Sequence, residues 1–185
     1  GSGSLGGTVR YIMNRPNPEA FEGKVYGELS QTKGSEGYNW NADAMLNVPL
    51  SENSALRFSL GRVDDDGVID YVNAYRTGVD GLPLAEDGDI LNGGPVFYNA
   101  EDADTVEVNW ARAAWGWTPG DDLDVLLSFQ WQEGEFGGRR QMTTANNGYG
   151  EPYGKYEHGS VVLEPASNDA ELAALEIDYD MGFAT

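Results

Sequence analysis

A period-two alternation of side-chain character, recurring one strand length after another, constrains this chain more than any other feature. Alternation with period two places one set of side chains on each face of a β-strand and is incompatible with an amphipathic helix. Phe21, Gly23, Val25, Gly27 and Leu29 alternate with Glu22, Lys24, Tyr26, Glu28 and Ser30. Beyond a polar turn at Lys33 to Gly37, Tyr38, Trp40, Ala42, Ala44, Leu46, Val48 and Leu50 share a face against Asn39, Asn41, Asp43 and Asn47, with Met45 out of pattern. Leu56, Phe58 and Leu60 oppose Arg57, Ser59 and Gly61, and the segment runs out into Asp64, Asp65, Asp66 and Gly67. Leu123, Val125, Leu127, Phe129 and Trp131 oppose Asp124, Ser128, Gln130 and Gln132, with Leu126 the exception. Ala173, Leu175, Ile177, Tyr179, Met181 and Phe183 oppose Glu176, Asp178 and Asp180. Thr105 to Thr118 obeys the rule only in its lower half, where Ala111, Ala113, Trp115 and Trp117 face away from Arg112, Ala114 and Gly116. Val106, Val108 and Trp110 have the opposite parity, which predicts a bulge or a strand rising out of the apolar layer.

The connections also alternate. Tight turns at Pro49 to Ser54 and Pro119 to Asp122 contrast with two long polar stretches, Gly67 to Ala103 and Glu133 to Asn168. In an up-and-down meander, both long stretches emerge at one end and both tight turns at the other. At the start, Thr8 to Asn14 reads as a short strand after a glycine-rich turn, stopped by Arg15-Pro16 and Asn17-Pro18 because proline has no N–H for a ladder.

Charge and composition exclude several classes. Eleven Lys and Arg against 31 Asp and Glu give a net charge of −20, which repels phosphate backbones and disfavours nucleic acid as a partner. With no cysteine there is no disulfide scaffold, thiolate metal site or cysteine nucleophile. Hydrophobic residues at 40% and aromatics at 11% are too many for an acidic disordered tail. No apolar run reaches the ~18 residues of a transmembrane helix, and GSGSLGG has neither the basic nor the apolar region of a signal peptide.

Strands of this length, with tight turns at one end and long loops at the other, have the pattern of an outer-membrane barrel. Trp40 and Trp131 fall near the long-loop end, and Phe21, Trp115, Trp117 and Phe183 near the tight-turn end, as two aromatic belts would. A soluble sandwich also alternates. Here, however, Asn, Asp, Glu, Arg and Gln recur on the polar face of every strand, as on a wetted lumen. That pattern predicts that a charge at Leu46 would meet lipid, whereas one at Asn47 would meet water.

The stretch GSGSLGGTVRYIMNRP resembles the end of the plug domain of TonB-dependent outer-membrane receptors, carried by Gly1, Ser2, Gly3, Gly6, Gly7, Val9, Tyr11, Asn14 and Pro16. FEGKVYGELSQTKGSEGYNWNADAMLNVPLSENSALRFSLGRVDDDGVIDY is similar to the first barrel strands of that family, and WARAAWGWTPGDDLDVLLSFQWQ to a later hairpin. The resemblance implies an all-β fold, an antiparallel up-and-down meander forming part of a plugged 22-stranded transmembrane barrel. Residues 1–18 would be the end of the plug and its hinge, and 19–185 the first six or so strands of an incomplete barrel. It further implies a bacterial outer-membrane location, contact with membrane lipid, and coupling to the TonB complex through a segment outside this chain. The activity implied is energised uptake of a scarce ligand, a ferric siderophore foremost, with no enzymatic function. A soluble all-β carbohydrate-binding module or hydrolase fragment is the alternative, and a passive porin-like barrel a third reading disfavoured by the plug-like start.

No catalytic constellation emerges. His158 is the sole histidine and reads as a loop residue without function. Asp64, Asp65 and Asp66 match no EF-hand spacing. Glu22, Glu28, Asp43, Glu176 and Asp178 recur along one face, which a polar lumen explains without a paired-carboxylate hydrolase. The opening glycines have no P-loop lysine. No cofactor and no metal site is expected. The long stretches concentrate aromatics and arginines suited to a ferric chelate: Tyr71, Tyr75, Arg76, Phe97, Tyr98, Arg139, Arg140, Tyr149, Tyr153 and Tyr156. On this reading Gly148 to Gly159 is a removable ligand loop.

Overall fold

The computed structural model describes residues 12–89, 92–147 and 150–182. The chain is all-β, with no helix among the described residues. Among the described residues nine strands form: β1 (Glu22–Ser30), β2 (Asn39–Ser51), β3 (Ser54–Asp65), β4 (Asp70–Tyr75), β5 (Phe97–Ala100), β6 (Val106–Trp117), β7 (Leu123–Phe136), β8 (Glu157–His158) and β9 (Ala166–Tyr179). The six long strands pair in the order β1-β2-β3-β6-β7-β9, each antiparallel to the long strand before it in the chain. This is an up-and-down meander. It is open, because β1 and β9 each pair on one side only.

Register carries the alternation across the whole sheet. Leu46, Phe58, Ala113, Phe129 and Ala173 are successive cross-strand partners on one face. Asn47, Arg57, Ala114, Ser128 and Ala174 form the adjacent row on the other. β3 and β6 stay in register from Ser54↔Trp117 to Asp65↔Val106, so no bulge explains the parity change in β6. Instead Glu107 and Asn109 continue the apolar face beyond Ala111, beside Arg62 and Asp64 of β3. The strand rises out of the apolar layer, as the second of the two expectations held. The bulge of this sheet lies between Pro49 and Ser51, where the proline has no amide to donate.

The apolar face is uncovered. Val25 is 83% exposed, Leu60 59%, and Leu175 and Ile177 62% each. In β7 it runs over the nine residues from Leu123 to Trp131, the length of a tilted membrane-crossing strand. Above it the same face turns charged, with Glu133 and Glu135 in β7 and Asp169 and Glu171 in β9. Arg62 sits at this boundary, bridging Asp64 at 2.9 Å and Glu107 at 2.8 Å, its guanidinium 5.6 Å from the centre of the Trp40 ring.

The two long stretches do emerge at one end, but they are not simple loops. The first contains the β4–β5 hairpin and the second contributes β8, which pairs parallel to β4 in a three-stranded sheet, β5-β4-β8. β7 and β9 also extend into the second stretch, up to Phe136 and from Ala166. These elements lack a period because they are short and owe their order to contacts between the two stretches. Ile69, Tyr71, Ala74 and Ala103 form a buried cluster there, with Val68, Tyr98, Ala100, Tyr156 and Leu163 packed around it.

The expected strand over Thr8 to Asn14 lies mostly outside the described residues, as do Gly1 to Tyr11 of the family-like stretch and Phe183 of the tight-turn belt. Its described part, Ile12 to Asn14, is not a strand. The carbonyls of Asn14 and Arg15 instead accept from Arg112 and Arg57 of the sheet.

Candidate functional site

Two regions collect polar side chains that a ligand or a neighbouring segment could use: the unit built by the long stretches, and the polar face of the sheet. On the polar face, residues 14–20 cross as a strap near the tight-turn end. Asn47 is fully buried; its Nδ2 donates to the carbonyls of Asn17 and Ala20, both at 2.7 Å, and its Oδ1 accepts from the Asn17 amide at 2.9 Å. Arg15 pairs with Asp124 at 2.8 Å, and the Pro16 ring packs on Gly116. The strap therefore ties β2, β3, β6 and β7 together. Asn47 is thus not a wetted position where an added charge would be tolerated, because three backbone groups depend on its amide.

In the loop unit, the side chain of Asp104 is fully buried between the two stretches. It accepts from the amides of Val68 at 2.6 Å and Ile69 at 2.7 Å, and from Arg140 Nε at 2.6 Å. Burial alone would raise its carboxyl. The Val68 amide, the Arg140 guanidinium and the Ile69 amide outweigh that and hold it below the usual carboxylate value. Tyr71, with no exposed surface, meets His158 edge-to-face at 4.8 Å and accepts the Arg139 amide at 2.8 Å on its hydroxyl. His158 is buried as well, its Nδ1 3.2 Å from Thr143 Oγ1 and its Nε2 4.0 Å from Glu164. It is not the surface residue its loop position suggested.

The ten expected ligand residues separate accordingly. Tyr71 is framework. Tyr156 is largely so: with φ at 70° it turns its ring against Gly34, itself at φ 106°, so closely that a Cβ there would lie 2.7 Å from the ring. Lys155 caps that ring at 4.5 Å. Tyr153 is half-buried beside Gly159. Tyr149 lies outside the described residues. Because Tyr156, Glu157 and His158 hold β4, the segment ending at Gly159 is woven into the unit and is not a detachable loop.

The remainder form two groups, with Arg76, Phe97, Arg139 and Arg140 exposed and Tyr75 and Tyr98 half-buried. Tyr75 and Phe97, cross-strand partners, stack at 5.0 Å, while Arg76 lies 5.7 Å from the Tyr98 ring. Arg139 and Arg140, held by Glu164 and Asp104, line a cleft of about 480 Å³ at the long-loop end of the polar face, beside Val106, Phe136 and Ala166. Among the described residues, no hydrogen bond, ion pair or ring contact joins the two groups. Asp64, Asp65 and Asp66 form no metal-binding cluster, and none exists among the described residues. Sequence reasoning missed Asp104 and Asn47, since a single Asp or Asn in an acidic, Asn-rich chain carries no local signal of burial. Set against known proteins, the chain matches no family model, no curated protein and no solved structure.

Proposed function

We propose that the six-stranded sheet is one arc of a transmembrane barrel in a bacterial outer membrane, and that it belongs to a TonB-dependent receptor for energised uptake of a scarce ligand. The observation carrying this reading is the pairing of an uncovered apolar band with a charged rim on one face and a strapped polar wall on the other. A sheet must bury its apolar face against something, and lipid is the solvent that needs no second protein layer. The open edges would pair with further strands, since unpaired backbone is not tolerated in hydrocarbon.

In this reading the strap is the end of a plug domain, the long-loop unit faces outside the cell, and work is delivered by an inner-membrane TonB complex. The ligand best suited to half-buried Tyr75 and exposed Phe97, Arg76, Arg139 and Arg140 is a ferric siderophore, stacked on the rings and paired with the guanidiniums. The test is extraction and solution behaviour. The protein should leave outer membranes only with detergent and aggregate when detergent is withdrawn. A monodisperse, cooperatively folding monomer in plain buffer would overturn the reading.

A further inference from the structure

The segment that forms the strap changes character at Pro16. Ile12, Met13, Asn14 and Arg15 are exposed, whereas Pro16, Asn17 and Pro18 are half-buried. The bonds divide at the same residue. Before it, each carbonyl is held by one guanidinium: Arg112 donates to Asn14 at 3.3 Å and Arg57 to Arg15 at 3.2 Å. The Arg15–Asp124 pair is open to water, where such a pair contributes little. After it, the fully buried Asn47 amide makes three bonds of 2.7 to 2.9 Å to the backbone of Asn17 and Ala20. Asn17 adds a bond from its own Nδ2 to Glu22 at 2.8 Å.

The two sets of bonds differ in what their loss exposes. Breaking the Asn47 bonds strands polar groups away from water. An exposed carbonyl that leaves its guanidinium is solvated at once, so the Asn14 and Arg15 bonds are the weaker set. Pro16 stands between them. Its ring rests against Gly116 of β6, where a Cβ would lie 3.5 Å from the ring, and it has no N–H to pair. It bears on the sheet by contact alone, as a fulcrum does. Pro18 confines Asn17 to extended conformations and so stiffens the bonded half.

Met13 and Asn14 also line one part of a recess of about 490 Å³, together with Arg57, Arg112 and Trp110 of the sheet. The sheet side is fixed. The Trp110 indole rests on bare backbone at Gly61, where a Cβ would lie 2.7 Å from three of its atoms.

We propose that this segment is a two-part hinge. Residues 12–15 are an arm that can leave the polar face, residues 16–20 are an anchor that stays on it, and Pro16 is the fulcrum. Release takes Met13 and Asn14 away from the recess and parts Arg57 and Arg112 from their carbonyls. A pull on the chain before residue 12 then ends at Pro16 and Asn47 and does not reach the pairing of β2 with β3. The division follows from the bonds; that a TonB complex supplies the pull rests on the reading above. A soluble protein with the same hinge would refute that reading and leave this one standing.

The chain has no cysteine, so single nitroxide labels can be placed on it without background. The full chain in phosphocholine detergent carries Met13→Cys on the arm, Glu19→Cys on the anchor or Ala42→Cys on β2, all at exposed positions, and is titrated with urea. Electron paramagnetic resonance reads the mobility of each label. Without urea the Met13 label should be restricted. It should become mobile at a lower urea concentration than the Ala42 label, as a locally opening segment does, and the Glu19 label should stay restricted for as long as the Ala42 label does. The Arg57→Gln, Arg112→Gln double variant should lower the midpoint of the Met13 label alone. Asn47→Ala should bring the Glu19 midpoint down to that of Met13. Where a variant alters the circular dichroism spectrum, the order of the three labels in the parent decides. The proposal fails if the Met13 label is as free as a tail before urea is added, if the Met13 and Glu19 labels are freed together in the parent, or if folded Asn47→Ala leaves the Glu19 midpoint unchanged.

Discussion

The sheet and the loop unit bury their residues in opposite ways. In the loop unit, Ile69, Tyr71, Ala74 and Ala103 are buried as in a small soluble domain, and buried Asp104 is fully bonded. In the sheet, Phe58, Leu60, Phe129, Leu175 and Ile177 stand exposed, while the fully buried large side chain is an asparagine, Asn47. One region is organised against water around its own core. The other turns its polar side chains to one face and leaves its apolar side chains exposed on the opposite one. The boundary between them is the row where Arg62, Asn109, Glu133 and Asp169 replace the aliphatic residues.

The sharpest way to break this comparison is to remove the core of the loop unit. Tyr71→Ala should destabilise that unit by about 3–5 kcal/mol, the usual cost of truncating a buried aromatic. Amide exchange should accelerate in β4, β5 and β8 and stay slow in β2, β3, β6 and β7. Acceleration throughout would mean that the two regions form one cooperative unit.

The next test addresses the two faces. In lipid, Leu46→Arg should cost roughly 2–4 kcal/mol of folding free energy near the midplane. Ala170→Arg, exposed on the polar face beside Gln132 of β7, should cost well under half of that. Equal costs would erase the distinction between the faces. The strap offers a smaller effect. Asn47→Ala strands the Asn17 amide and two carbonyls, at about 1–3 kcal/mol. Limited proteolysis should then cut within residues 14–20 of the variant and spare the parent.

The smallest effect is the pH response of the joint between the two long stretches. The folded Asp104 carboxyl is held below its ordinary value of 3.8, so its contribution is present above that value and is lost as pH falls through the lowered one. The loop unit should therefore loosen only in acid below about pH 4, seen as faster exchange at Val68 and Ile69. Asp104→Asn should flatten that acid response. A parent unit that loosens between pH 5 and 7 instead would overturn the assignment to Asp104.

Much of the sheet was legible in the sequence, for a physical reason. Alternation is a property of residues two apart, fixed by the pleat before any partner is chosen. Leu46 and Asn47 therefore declare opposite faces on their own, and the tight turns at Pro49 to Ser54 and Pro119 to Asp122 join consecutive strands. The loop unit obeys no such rule. Its ties run between residues far apart: Asp104 lies 36 positions from Val68 and from Arg140, and Tyr71 lies 68 from Arg139. The sequence could collect Tyr71, Tyr75 and Arg140 as aromatics and cations suited to a ligand. Only the fold could turn Tyr71 inward and fasten Arg140 to Asp104 while leaving Tyr75 stacked on exposed Phe97. The same holds on the polar face of the sheet. The parity of Trp110 was visible as an anomaly, but its rest on Gly61 follows from the β3–β6 register, set by the pairing of strands whose nearest ends are 41 positions apart (106 − 65). Local periodicity determined which way each strand faces, and long-range pairing decided which of the outward groups remain free to act.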